Sequence, residues 1–207
     1  MLESSFIHGG GVGPATERRI WNAGGHTWEA FLDLNARGAI PGRRMDALAN
    51  LVAASRRALD QDDVAFFSRR LPVSEQWRLF TRFGRRAAFV DIETTGLSPG
   101  LDEVTVIGLY DAEGFRAFVR GVDLEEFPAV AARYPLLVSY NGETFDIPFL
   151  QRTFPGFEPR AHLDLRFPLA RLGYRGGLKQ IERAVGIERP TNLRELDGFD
   201  AVRLWHQ

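Results

Sequence analysis

A short strand-forming run with two acids inside it constrains this chain more than any other stretch. Ala87, Ala88, Phe89, Val90 and Ile92 are apolar and rich in strand formers. Thr95, Gly96 and then Ser98-Pro99-Gly100 end the run. Asp91 and Glu93 lie within it. Side chains on a strand alternate faces, so residues two apart project the same way. Two carboxylates therefore stand side by side at the end of what reads as a core strand. Alone, they repel each other and resist burial. A divalent cation with oxygen ligands removes both difficulties. The plainer alternative is a strand end frayed into solvent, with two ordinary surface acids.

The sequence has 207 residues, enough for one large domain or for one domain with a small companion. Hydrophobic residues make up 44% of it, so a real core is available and disorder is disfavoured. It contains no cysteine, which excludes disulfides, thiolate zinc sites and thiol nucleophiles. The start, Met1-Leu2-Glu3-Ser4-Ser5, has no basic patch followed by an apolar core, and no stretch reaches membrane-span length. A soluble, cytoplasmic protein with no membrane contact is expected. The net charge of −1 hides a split: residues 1–86 balance at +4 and residues 87–207 at −5. A basic front suits a polyanion and an acidic rear suits cations. Every basic residue except Lys179 is arginine, which suits bidentate phosphate contacts, although genome composition explains this equally well.

Residues 1–84 read as a small helical region. Gly9-Gly10-Gly11-Val12-Gly13-Pro14 leads into a helix from about Pro14 to Asn22, with proline well placed in its first turn. Gly24-Gly25 stops it, and Thr27 caps a second helix running to about Leu34. The run from Gly11 to Gly24 resembles a helix-hairpin-helix element. There, a glycine-hydrophobic-glycine turn presents backbone N–H groups to a nucleic-acid phosphate. Gly11 and Gly13 are the candidate contacts, with Arg18 and Arg19 adding charge. The alternative is a glycine turn that only lets two helices pack. Residues 43–69 read as one long helix, with Met45, Leu48, Leu51, Val52, Leu59, Val64 and Phe67 on its apolar face. Its arginine pairs read as the solvated face. After Pro72, Ser74 is expected to cap a further helix through Phe80.

Residues 85–207 read as a catalytic-looking domain. Strands are expected at Glu103–Tyr110 and Phe115–Arg120, joined by the turn Asp111-Ala112-Glu113-Gly114. Asp123 opens a helix that ends near Tyr134-Pro135. A strand follows at Leu136–Tyr140, a helix at Asp146–Phe154, a strand at Ala161–Leu165, and then further helices. A right-handed crossover from strand three places strand four beside strand one. The result is an α/β fold of the ribonuclease H-like kind: a mixed five-stranded sheet in the order 3-2-1-4-5, flanked by helices. Asn141-Gly142 turns the chain after strand four, and Asp146 stands at the start of the next helix, where its charge is favoured. A third carboxylate thus arrives at the first two. Its alternative role is a simple helix cap.

Asp91-Ile92-Glu93-Thr94-Thr95-Gly96-Leu97 resembles the first motif of the DEDD exonuclease superfamily, and Asn141-Gly142-Glu143-Thr144-Phe145-Asp146 resembles its second. Nearly the whole chain is similar to the YprB-type ribonuclease H-like family of predicted exonucleases. That similarity includes Phe6-Ile7-His8, His162-Leu163-Asp164-Leu165, Gly177 to Glu182, and Asp200 to Trp205. The resemblance implies a metal-dependent exonuclease that hydrolyses phosphodiester bonds 3′→5′ on single-stranded DNA or RNA ends. Asp91, Glu93 and Asp146 would hold two Mg²⁺ or Mn²⁺ ions. Backbone from Thr94 through Thr95 and Gly96 to Leu97 would hold the terminal nucleotide, and Asn141 would orient the loop or touch substrate. Asp164 would support the site or cap structure.

One part of the pattern is missing. The superfamily's third motif, Tyr-x-x-x-Asp or His-x-x-x-x-Asp, has no match after Asp146. In the resembling family it follows the position of Trp205, so a C-terminally truncated domain is expected. The other accounts are replacement by Asp197 or Asp200, or a degenerate nuclease that survives as a nucleic-acid-binding module.

Overall fold

A computed structural model describes residues 2–188. The chain divides into two compact units, Met1–Arg85 and Arg86–Gln207.

The first unit is helical. A 3₁₀ turn at Leu2–Ser4 and the glycine turn lead into α1 (Pro14–Asn22), with Gly13 at its N-cap and proline in its first turn. Thr27 caps α2 (Trp28–Ala36) by accepting the Ala30 N–H, as expected. The long helix expected over 43–69 is two helices, α3 (Met45–Asp60) and α4 (Val64–Ser68). Asp62 adopts a left-handed backbone (φ 52°), and the Asp63 N–H reaches back to the Ala58 carbonyl, which closes α3. The Asp63 side chain then caps α4 at the Phe66 N–H. Apolar periodicity runs across this break because both helices face one core. The segment expected to be capped by Ser74 is a 3₁₀ helix, Val73–Leu79, continuing into α5 (Phe80–Phe83). Phe6, Ile20, Trp28, Phe31, Val52, Phe67 and Leu79 are buried together, and the Trp28 and Phe67 rings stack.

The second unit is built on a sheet. Antiparallel β1 (Ala88–Thr94), β2 (Val104–Asp111) and β3 (Gly114–Val119) form a meander. A 3₁₀ turn at Leu124–Glu126 and α6 (Phe127–Ala131) then cross to β4 (Leu137–Ser139), which runs parallel to β1. Asp123 does not cap this passage through its side chain; its carboxylate accepts the Val119 N–H instead. α7 (Asp146–Thr153) leads to β5 (His162–Asp164), parallel to β4, and α8 (Arg166–Arg171) and α9 (Leu178–Ala184) follow. The sheet order is β3-β2-β1-β4-β5, as the strand sequence implies. One face is closed: Val90, Ile92, Ile107, Leu109, Phe118, Phe127, Phe149 and Leu150 form its core. On β1, burial alternates strictly, so Phe89, Asp91 and Glu93 point to the other face. The register with β2 shifts between Glu93 and Thr94, just past the acids.

Candidate active site

β1 supplies Asp91 and Glu93 from its open face, at the centre of the sheet. β4 stops at Ser139, and the following turn brings Asp146 to the first residue of α7, where Phe149 and Leu150 anchor the helix in the core. Asp146 is only 3% exposed, and its Oδ1 has no hydrogen-bond partner. Burial, and then the charge of Asp91, push its carboxyl up to about 7. Its own amide and that of Ile92 act in the opposite direction. Glu93 is raised by burial and by Asp91 beside it. Asp91 is thus the acid whose charge acts on both of the others.

The turn that delivers Asp146 is held by groups whose arrangement single-sequence reading does not resolve. Asp164, at the end of β5, is 1% exposed and takes three backbone N–H groups. Its Oδ1 accepts from Asn141 and Arg166, at 2.8 Å each, and its Oδ2 accepts from Glu143 at 3.2 Å. Asp164 is thus a structural cap for the turn. Asn141 adopts φ 66°, and its side-chain oxygen accepts from Arg166 and Thr144, so it orients the loop. His162 bridges Ser139 Oγ (2.8 Å) and the Glu143 carboxylate (3.2 Å). The carboxylate requires a proton on Nδ1, so Nε2 accepts from the serine hydroxyl. Burial lowers the His162 pKa against the pull of Glu143. A Cβ on Gly142 would fall 1.9 Å from Ser139 Oγ, so only glycine lets this line of contacts pass. The signal available in advance was the Asn-Gly turn; its partners lie 20 or so residues away.

The loop after β1 is also fixed from within. Thr94 Oγ1 donates to the Gly96 carbonyl, and Thr95 Oγ1 accepts the Glu103 N–H. The Asp102 carboxylate accepts the Ser98 N–H and packs against Gly96, where a Cβ would come within 2.4 Å of its Oδ1. Both threonine hydroxyls therefore close the loop, and Leu97 is left 68% exposed. In the helical unit, Gly11 (φ 73°) lies under the Arg44 guanidinium, Gly13 is the α1 N-cap and Arg18 is exposed on α1. The glycine turn is preceded by the 3₁₀ turn at Leu2–Ser4 and followed by α1 and α2, the two helices expected in this stretch. Asp197 and Asp200 lie outside the described residues.

Among the described residues, no group of three or more histidines or acids converges closely enough to hold a metal ion by itself. The chemistry of the donors nevertheless fits a hard divalent cation. They are carboxylates, two of them are raised by burial and then by a shared neighbour, and one buried oxygen lacks a partner.

Residues 88–207 match the RNase H superfamily. The chain belongs to that superfamily. Its matched region begins at the first residue of β1 and takes in all three acids. A comparison with curated proteins finds no match. Several solved structures share parts of the architecture. The family B DNA polymerase of Pyrobaculum calidifontis is 17% identical, with 58% of this chain and 21% of that chain covered and a TM-score of 0.48. Brucella melitensis NrnC with bound Mg²⁺ is 20% identical over 57% of this chain and 61% of that chain, with a TM-score of 0.41. The Aedes aegypti Nibbler EXO domain is 15% identical over 59% and 70%, with a TM-score of 0.43. This chain thus spans about a fifth of the polymerase and about three fifths of NrnC. Among the described residues, no helix is long and apolar enough to cross a membrane.

Proposed function

We propose that this RNase H superfamily member is a metal-dependent exonuclease that hydrolyses phosphodiester bonds, 3′→5′, on single-stranded DNA or RNA ends in the cytoplasm, as its resemblance to YprB-type proteins implies. The observation that carries the reading is the buried Asp146 carboxyl, with an oxygen that lacks a partner and within reach of the Asp91 charge. Folding without a cation leaves that group costly at neutral pH, which is how a preorganised cation site behaves. Asp91, Glu93 and Asp146 would hold Mg²⁺ or Mn²⁺, which would supply Lewis-acid stabilisation of the phosphoryl group and an activated water. The chain's own residues do the rest. Asp164 and His162 fix the turn, so Asp146 is delivered in one position. Asp102 fixes the loop after β1, so Leu97 stands out to meet a terminal base. Gly11, Gly13 and Arg18 of the helical unit would meet backbone phosphates through amides and charge.

A second reading, a nucleic-acid-binding module without hydrolysis, is favoured by the lack of a closed cluster of three ligands among the described residues. The two are separated by incubating the chain with end-labelled single-stranded DNA and RNA in Mn²⁺. A ladder of shortened products, abolished by Asp91→Ala and by chelator, is expected. Salt-dependent binding without any ladder would establish the second reading instead.

A further inference from the structure

One buried titratable group plays no part in the site: His8, which stands in the helical unit just before the glycine turn. It is 2% exposed. The ring of Trp28 on α2 lies 6.0 Å away, centroid to centroid, and Phe67 of α4 meets it edge-on at 5.8 Å. Its Nε2 is 2.8 Å from Ser55 Oγ on α3. Ser55 Oγ is also 2.8 Å from the Leu51 carbonyl, which can only accept, so the serine proton goes there. Nε2 must then donate to the serine, and Nδ1 is left a bare base. That nitrogen has no hydrogen-bond partner among the described residues. His8 is thus held neutral, in one tautomer, beside two aromatic rings. A proton on Nδ1 would be a buried donor without an acceptor. The charges that act on the ring are those of Arg70, just past α4, and Arg78, on the 3₁₀ helix, and both are positive. The carboxylates of this unit are engaged elsewhere. Glu17 and Glu75 hold Arg78, Glu29 meets Arg56, Asp46 meets Asn35, Asp62 meets Arg82, and Asp63 caps α4. Glu3, Asp33 and Asp60 are exposed. Burial, and then the two arginines, push the His8 pKa down to about 4.

We propose that His8 is an acid-sensitive latch of the helical unit: a proton on Nδ1 drives the ring away from Trp28 and Phe67 and loosens the glycine turn Gly9–Gly13 that follows it. The turn's own backbone bonds are local, from Gly9 to Phe6 and from Val12 to Gly9. The His8 side chain ties it to α3, 47 residues further along. Folded His8 lies well below the free histidine value of about 6.5. Its contribution to stability is therefore fully present above about pH 6.5 and is lost as pH falls towards 4. The unit opens more readily in acid for that reason. His8, Ser55, Trp28 and Phe67 all belong to Met1–Arg85, so the latch stands apart from the acids of the sheet and does not depend on the nuclease reading.

Urea unfolding of the full chain, followed by tryptophan fluorescence, compares the parent with His8→Gln at pH 7.5 and pH 5.0. Trp21, Trp28 and Trp77 report on the helical unit. Glutamine keeps an N–H for Ser55 and does not titrate. Groups that titrate elsewhere, Asp146 among them, change both proteins alike. Between the two pH values the unfolding constant of the parent should rise about thirtyfold more than that of the variant. An equal rise in both would overturn the proposal. Should the variant fail to fold, nitrogen NMR of the parent decides, with Ser55→Ala identifying the His8 signals by removing the partner of Nε2. The expected spectrum is a neutral ring protonated on Nε2 at pH 7 that is still neutral at pH 5.5. A ring protonated on Nδ1 at pH 7, or one that takes up its second proton near the free histidine value, would overturn the latch.

Discussion

An ionised Asp146 is costly in this fold, and its cost has a sign that can be read from stability. Its folded pKa, about 7, lies well above the ordinary aspartate value, chiefly through burial. The protonated form is therefore the one that folding favours. Its stability contribution is fully present below about pH 4 and is lost as pH rises towards 7. Asp146→Asn keeps the shape and removes the charge. The variant should gain about 2–4 kcal/mol over the parent at pH 8, an upper range set by roughly three pKa units, and nothing at pH 4. Thermal or urea unfolding at the two pH values measures this directly; equal stability at pH 8 would show that the carboxyl is satisfied in some other way. At this scale the acids themselves were legible in the sequence, because strand alternation and a helix start are local rules. What held the turn was not. Asp164 and His162 act through atoms of residues some twenty positions earlier, and only the folded chain shows that Gly142 leaves the gap between Ser139 and His162.

Elements in the helical unit are tied together by a buried ionic network. Glu17, on α1, accepts the N–H groups of Phe6 and Ile7 and both terminal nitrogens of Arg78, whose Nε also bonds Glu75. Glu17 and Arg78 are buried, and a pair of this kind is destructive when only one member is removed. Glu17→Ala should therefore cost about 3–5 kcal/mol, since it takes the carboxylate from the terminal nitrogens of Arg78 and from two amides, with Glu75 left to hold only the Nε side. The urea midpoint followed by tryptophan fluorescence tests this, because Trp21, Trp28 and Trp77 all sit in that unit. A loss below about 1 kcal/mol would mean that water replaces the carboxylate. Element types were largely legible from periodicity and caps, as with Thr27. Breaks were less so: the α3–α4 boundary depends on one left-handed residue, Asp62, in a sequence whose apolar spacing continues across it.

For the whole molecule, the order of strands and helices was enough to place β4 beside β1, because right-handed crossovers leave few other choices. That topology makes the acids of β1 and the start of α7 neighbours, although 55 residues separate Asp91 from Asp146. The central claim for the molecule is that these carboxylates are a cation site. Isothermal titration of the full chain with Mn²⁺ at pH 7.5, beside the Asp91→Ala variant, tests that claim most directly. The parent should bind saturably, and the variant should bind at least about tenfold more weakly while keeping its fold. No saturable binding by the parent, or equal binding by both, would contradict the account.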